Sequence, residues 1–194
     1  MKQLFIIPLL LISLISSPSW GADFDKGLTA AQNGDFAAAF KEWKPLAEQG
    51  LAKAQFNLGV MYEYGDGVPQ DYKEAVRLYR LAAEQGYARA QFNLGVMYEY
   101  GHAVPQDYTK AVRLYRLAAE QGFADAQYNL GTFYGNGTGV VQDFVYAHMW
   151  LNIAASNGVD KGNKKEIERK LTTSDISEAQ KLARECVKKN YKGC

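Results

Sequence analysis

The sequence predicts an all-α fold, a solenoid of stacked helix pairs. Three observations carry this. Ala54-Gln55-Phe56-Asn57-Leu58-Gly59-Val60-Met61-Tyr62-Glu63-Tyr64-Gly65 returns almost unchanged from Ala90 to Gly101, and a looser copy begins at Ala126. That spacing is a period of roughly 36 residues, the length of a unit too small to bury its own apolar face and obliged to stack on its neighbours. Within each unit apolar residues recur at helical spacing, punctuated by glycine-rich loops.

The first 22 residues stand apart. Met1-Lys2 is a short positive start, and Leu4 to Ile15 is an apolar run of about a dozen residues, too short to span a bilayer comfortably. Small and turn-forming residues follow from Ser16 to Ala22, so 1–22 reads as a cleavable signal peptide, with Asp23 at or near the mature start. The expected domain is then 23–190, with units at about 23–53, 54–89, 90–125 and 126–161, a C-terminal cap at 162–190 and a tail at 191–194.

In the first unit Gly34-Asp35-Phe36 makes a tight loop, Ala39, Trp43 and Leu46 supply the stripe of the second helix, and Pro45 should kink it. In each following unit, helix A opens at Ala54, Ala90 or Ala126 and carries Gly59, Gly95 or Gly131 in its middle. A mid-helix glycine costs about 1 kcal/mol against alanine, so its recurrence at one phase implies a notch for close helix packing. The loops Gly65 to Gln70, Gly101 to Gln106 and Gly137 to Gln142 place a valine as a plug between helices. Asp71, Asp107 and Asp143 then read as N-caps of helix B, Asp71 forming a capping box with Glu74. Helix B buries Ala75, Leu78, Tyr79, Ala82 and Ala83 and stops at Gly86, with Gly50, Gly122 and Gly158 as equivalents. Asn163 to Leu171 and Thr173 to Asn190 form the polar closing pair.

Composition narrows the function. The chain carries 22 basic and 21 acidic residues, a formal net charge of +1, and nothing in that balance points to nucleic acid. No segment after the first 22 residues is apolar for long enough to span a membrane. His102 and His148 lie in different units without an acidic or nucleophilic partner at a recognised spacing, so no catalytic residue is assigned. The glycine-rich loops follow helices, not strands, which argues against phosphate cradles, and Asp66 lacks companion ligands for a metal. No cofactor and no metal is expected. Cys186 and Cys194, the only cysteines, most simply pair as one disulfide that pins the tail to the last helix.

The pattern Ala-x-x-x-Leu-Gly-x-x-Tyr-x-x-Gly-x-Gly-Val-x-x-Asp-x-x-x-Ala, followed by Ala-Ala-x-x-Gly, resembles Sel-1-like repeats of the exported bacterial type, relatives of the tetratricopeptide repeats. The resemblance implies a right-handed superhelix that serves as a non-enzymatic scaffold or adaptor of the cell envelope, periplasmic or secreted. It would hold an envelope protein or peptide in the concave groove formed by successive A helices. Phe56, Val60, Glu63 and Tyr64 lie on one side of helix A, away from the packing stripe Ala54, Leu58, Met61 and Tyr62. Phe92, Val96, Glu99 and Tyr100 repeat that face, and the next unit departs with Tyr128, Thr132, Gly135 and Asn136. Lys53, Arg89 and Asp125 would edge the groove. Two points stay open: Phe56 and Phe92 line the groove or sit in the core, and Glu63 and Glu99 meet a basic ligand or only water. The resemblance carries a second reading, a β-lactamase-like or peptidoglycan-binding envelope protein, although the chain has neither a cysteine ladder nor a Ser-x-x-Lys motif. Partner identity and oligomeric state are not readable from the pattern.

Overall fold

The computed structural model describes residues 23–194, and every regular element among them is a helix. The expected signal peptide at 1–22 lies outside the described residues. Four helix pairs follow in order: α1 (Phe24–Gln32) with α2 (Phe36–Glu48), α3 (Ala52–Tyr64) with α4 (Tyr72–Glu84), α5 (Ala88–Tyr100) with α6 (Tyr108–Ala119), and α7 (Ala124–Asn136) with α8 (Phe144–Ser156). The cap is α9 (Asn163–Glu168) and α10 (Thr173–Lys188), both packed on α8. Each helix contacts the one before and the one after it through α8, which builds a right-handed solenoid.

The A helices begin two residues before the alanines that mark the repeat, after Leu51, Tyr87 and Phe123, none of which caps with a side chain. The B helices are capped as their aspartates require: Asp71 accepts from the amides of Lys73 and Glu74, Asp107 from Lys110, and Asp143 from Tyr146. The capping box of Asp71 with Glu74 closes on one side only. The Asp71 amide is already spent on the Tyr62 carbonyl at 2.8 Å, and the Glu74 carboxylate turns to Arg77 at 2.6 and 2.8 Å. A complete box forms instead at α10, between Thr172 and Asp175. Pro45 is carried inside α2, which runs on to Glu48.

The glycine notch is a steric requirement. A Cβ on Gly59 would stand 2.6 Å from the Tyr79 ring, and one on Gly95 would stand 2.8 Å from Tyr115. Burial follows the stacking: one cluster joins Trp43 to Leu58 and Met61, the next joins Phe56 and Tyr79 to Leu94 and Met97, and the third joins Tyr115 to Phe133 and Trp150. Val68, Val104 and Val140 plug these clusters from the loops.

Three glutamines inside this apolar stack hold successive pairs together. Buried Gln55, Gln91 and Gln127 donate to the carbonyls of Ala47, Ala83 and Ala119 on the preceding B helix, at 3.1, 3.3 and 3.1 Å. Each side-chain oxygen accepts from the end of its own pair's B helix: from Gln85 at 2.8 Å, Gln121 at 2.7 Å and Asn157 at 2.8 Å. Every amide group is satisfied at both ends, which burial demands. At the far end Cys186 and Cys194 face one another with Cα atoms 5.6 Å apart, a disulfide geometry. The tail between them places the Tyr191 hydroxyl on Asn157, extending the glutamine chain to the terminus.

Candidate functional site

On each A helix the candidate face starts at the edge of the packing notch, where Glu63 and Glu99 meet Tyr79 and Tyr115, and runs round the helix toward solvent. Its exposed members are the tyrosines at the helix ends, Tyr64 at 67% and Tyr100 at 62% exposure. Val60, Val96, Tyr128 and Thr132 are half-buried beside them, and Lys53 and Arg89 are exposed at the opposite end of their helices, with Asp125 half-buried at the same position. Asn57, Asn93 and Asn129 also lie on this side, one turn before the valines and threonine, half-buried. Sequence reasoning passed over them, although a polar residue recurring beside Leu58, Leu94 and Leu130 was the available signal.

Phe56 is buried against Tyr79 and Tyr87, with ring centroids 5.8 and 5.3 Å away. Phe92 sits likewise between Tyr115 and Phe123, at 5.5 and 5.1 Å. These phenylalanines are largely engaged within the stack. The two glutamates are also engaged: Glu63 accepts a hydrogen bond from the Tyr79 hydroxyl and Glu99 from that of Tyr115, across 16 residues in each case. Burial, and then the hydrogen bond to the neighbouring carboxylate, raise both phenols far above the ordinary tyrosine range, while Asn93 and Asn129 on the same hydroxyls pull slightly the other way. The charge of Glu63 is the first cause that raises the Tyr64 phenol, and Glu99 does the same to Tyr100.

In the fourth pair this arrangement is gone. Gly135 stands where Glu63 and Glu99 stand, and Leu151 replaces Tyr79 and Tyr115. Ile167 of α9 moves into the freed space, close enough that a Cβ on Gly135 would meet it at 2.7 Å. A half-open cavity of about 420 Å³ lies next to it, between α7, α8 and α9. Thr132 and Asn136 reach it from the candidate face.

Of the two histidines, His102 touches this face through Tyr100, and His148 does not. His102 is exposed in its loop between the rings of Tyr72 and Tyr100, at 5.2 and 5.9 Å. His148 is 1% exposed and holds Glu168 at 3.1 Å and Asn152 at 2.9 Å, which ties α9 to α8. Among the described residues no helix is long and apolar enough to cross a membrane.

Known proteins agree with this architecture. The Sel1 repeat matches residues 52–87, 88–123 and 124–159. Among solved structures, a protective antigen present in uropathogenic Escherichia coli strains, displaying an SLR fold, aligns at a TM-score of 0.73 with 31% identity over 85% of this chain and 41% of its own. A Sel1 repeat protein from Oxalobacter formigenes aligns at 0.68 with 28% identity, over 84% of this chain and 75% of its own. The DAP3-binding cell death enhancer 1 of Rattus norvegicus is 40% identical over 50 residues, 26% of this chain, and the chain spans only 10% of that protein's length. Sel1 repeats generally serve as non-catalytic scaffolds for protein interactions. With three successive repeats matched over more than half its length, this chain belongs to the Sel1 repeat family.

Proposed function

We propose that the chain is a non-enzymatic interaction scaffold of the bacterial cell envelope, exported by the segment 1–22 and binding a partner protein or peptide in the concave groove formed by successive A helices. The observation that carries this reading is the pair of exposed tyrosines, Tyr64 and Tyr100, repeated one helix pair apart on a rigid stack. Tyrosine offers large contact area at little conformational cost and is enriched where binding energy concentrates. Val60, Val96, Tyr128 and Thr132 continue the face. The cysteine pair in disulfide geometry suits an oxidising compartment, periplasmic or extracellular.

The test is affinity capture from native envelope extract with the tagged chain starting at Asp23, beside a Tyr64→Ala/Tyr100→Ala variant. Both side chains are exposed, so the variant should keep its helical content and melting temperature. A partner held by the parent and lost by the variant is the expected result. Equal capture by both would move the binding surface elsewhere. Phe56 and Phe92 are unsuited to this test, because their loss would open the core against Tyr79 and Tyr115.

A further inference from the structure

The fourth helix pair breaks the repeat at two positions that belong together. Where Glu99 and Tyr115 bond one another, Gly135 and Leu151 leave no polar pair, and the cap supplies Ile167 instead. The result is a cavity of about 420 Å³, within the range of roughly 300–1,000 Å³ that small-molecule sites occupy. Its lining is divided by chemistry. Leu151 and Ile167, both buried, make an apolar floor with Phe144. Glu166 and Lys170 stand at the rim, four residues apart. Lys170 lies in the turn after α9, and neither residue forms an ion pair among the described residues. Asn136 and Asn163 also line the cavity, and the Asn163 amide makes only a long contact of 3.4 Å to Thr132.

We infer that this cavity is a site for a small zwitterionic ligand with an apolar side chain, a free dipeptide. Glu166 takes the ammonium, Lys170 takes the carboxylate, the asparagine amides pair with the peptide group, and Phe144, Leu151 and Ile167 receive the side chain. A simple anion would meet the charge of Glu166 and a simple cation that of Lys170, so a ligand carrying both charges is selected. A free amino acid would leave much of the space empty. The site needs no macromolecular partner, so its fate is independent of the scaffold reading.

The experiment is calorimetric titration of the chain from Asp23 onward with L-alanyl-L-leucine, its N-acetyl form, its C-terminal amide and the doubly capped form. Glu166→Gln and Lys170→Gln are titrated in parallel. Both side chains are exposed, and a urea midpoint equal to the parent's shows that each variant is folded. The parent should bind the free dipeptide, and capping either end should weaken binding at least about tenfold, the usual worth of one charge-assisted contact. Glu166→Gln should weaken the free dipeptide equally but leave the anionic N-acetyl form no weaker, since it has no ammonium to lose and a repulsion is removed, and Lys170→Gln should do the same for the cationic amide. No binding of the free dipeptide up to about 10 mM, weaker than any useful millimolar affinity, overturns the proposal. So does equal binding of free and doubly capped forms, or binding to both variants that matches the parent.

Discussion

The second and third helix pairs close the end of the A-helix face from within, whereas the fourth leaves it open. In α3–α4 and α5–α6 a carboxylate near the end of the A helix takes a hydrogen bond from a tyrosine on the B helix, and the aromatic ring beneath fills the glycine notch. In α7–α8 both partners are missing, a leucine meets the notch, and an isoleucine from the cap covers part of the gap. Recurrence inside a repeat protein therefore marks what stacking needs, and departure from it marks where the surface is free to become something else. Glu63 and Glu99 look like ligand-facing charges on a helical wheel, yet they recur because Tyr79 and Tyr115 require an acceptor.

Transplanting the open form into a closed pair should produce the largest effect. Glu99→Gly with Tyr115→Leu copies the fourth pair, but α7 brings the amide of Asn129 to that place and no isoleucine. A void and an orphaned amide result, and the urea-derived stability should fall by roughly 3–5 kcal/mol. A loss under about 1 kcal/mol would mean that the Glu–Tyr pair is incidental to stacking. Gly95→Ala should come next. Alanine gains up to about 1 kcal/mol in helix propensity but drives a methyl group into the Tyr115 ring, and overpacking of that kind costs about 1–3 kcal/mol. A net loss of about 1–2 kcal/mol in thermal or urea unfolding is expected; a gain would show that the ring moves aside freely.

Much of this was legible in the sequence, and the illegible part has a common cause. The period, the aspartate caps, the glycine notch and the valine plugs are local or periodic signals, and Asp71, Gly59 and Val68 each act within a few residues or one phase of a helix. The Tyr79–Glu63 bond spans 16 residues between two helices, and the Gln55–Gln85 bond spans 30. Helical periodicity assigns a residue to a side of its own helix and says nothing of what comes across from the next one. The capping box at Asp71 failed for the same reason, since a carbonyl from α3 had already taken the amide. The cavity beside Gly135 was visible only as a loss of aromatic and acidic residues. That a cap helix would fill part of it with Ile167 and bring Glu166 and Lys170 beside it depended on the path of α9.

A single atom offers the finest comparison of the closed and open forms. Tyr115→Phe keeps the ring in the notch and removes only the hydroxyl, so at pH 7 it should cost about 1 kcal/mol, the net worth of one such hydrogen bond. Its larger consequence lies at alkaline pH. Burial first, and then the bond to Glu99, hold the Tyr115 proton far above the ordinary range, and Tyr79 is held in the same way. Below about pH 10 folded and unfolded chains both keep these protons and the contribution is intact. Above that pH the unfolded chain releases them while the folded chain does not, so stability falls by on the order of 1.4 kcal/mol per pH unit for each phenol. Unfolding midpoints measured from pH 8 to pH 11.5 should therefore fall steeply in the parent and less steeply in Tyr115→Phe. Combined with Tyr79→Phe, the slope should flatten further. An unchanged slope would show that the two phenols ionise as freely in the stack as in water, and the closed form would then owe nothing to its carboxylates.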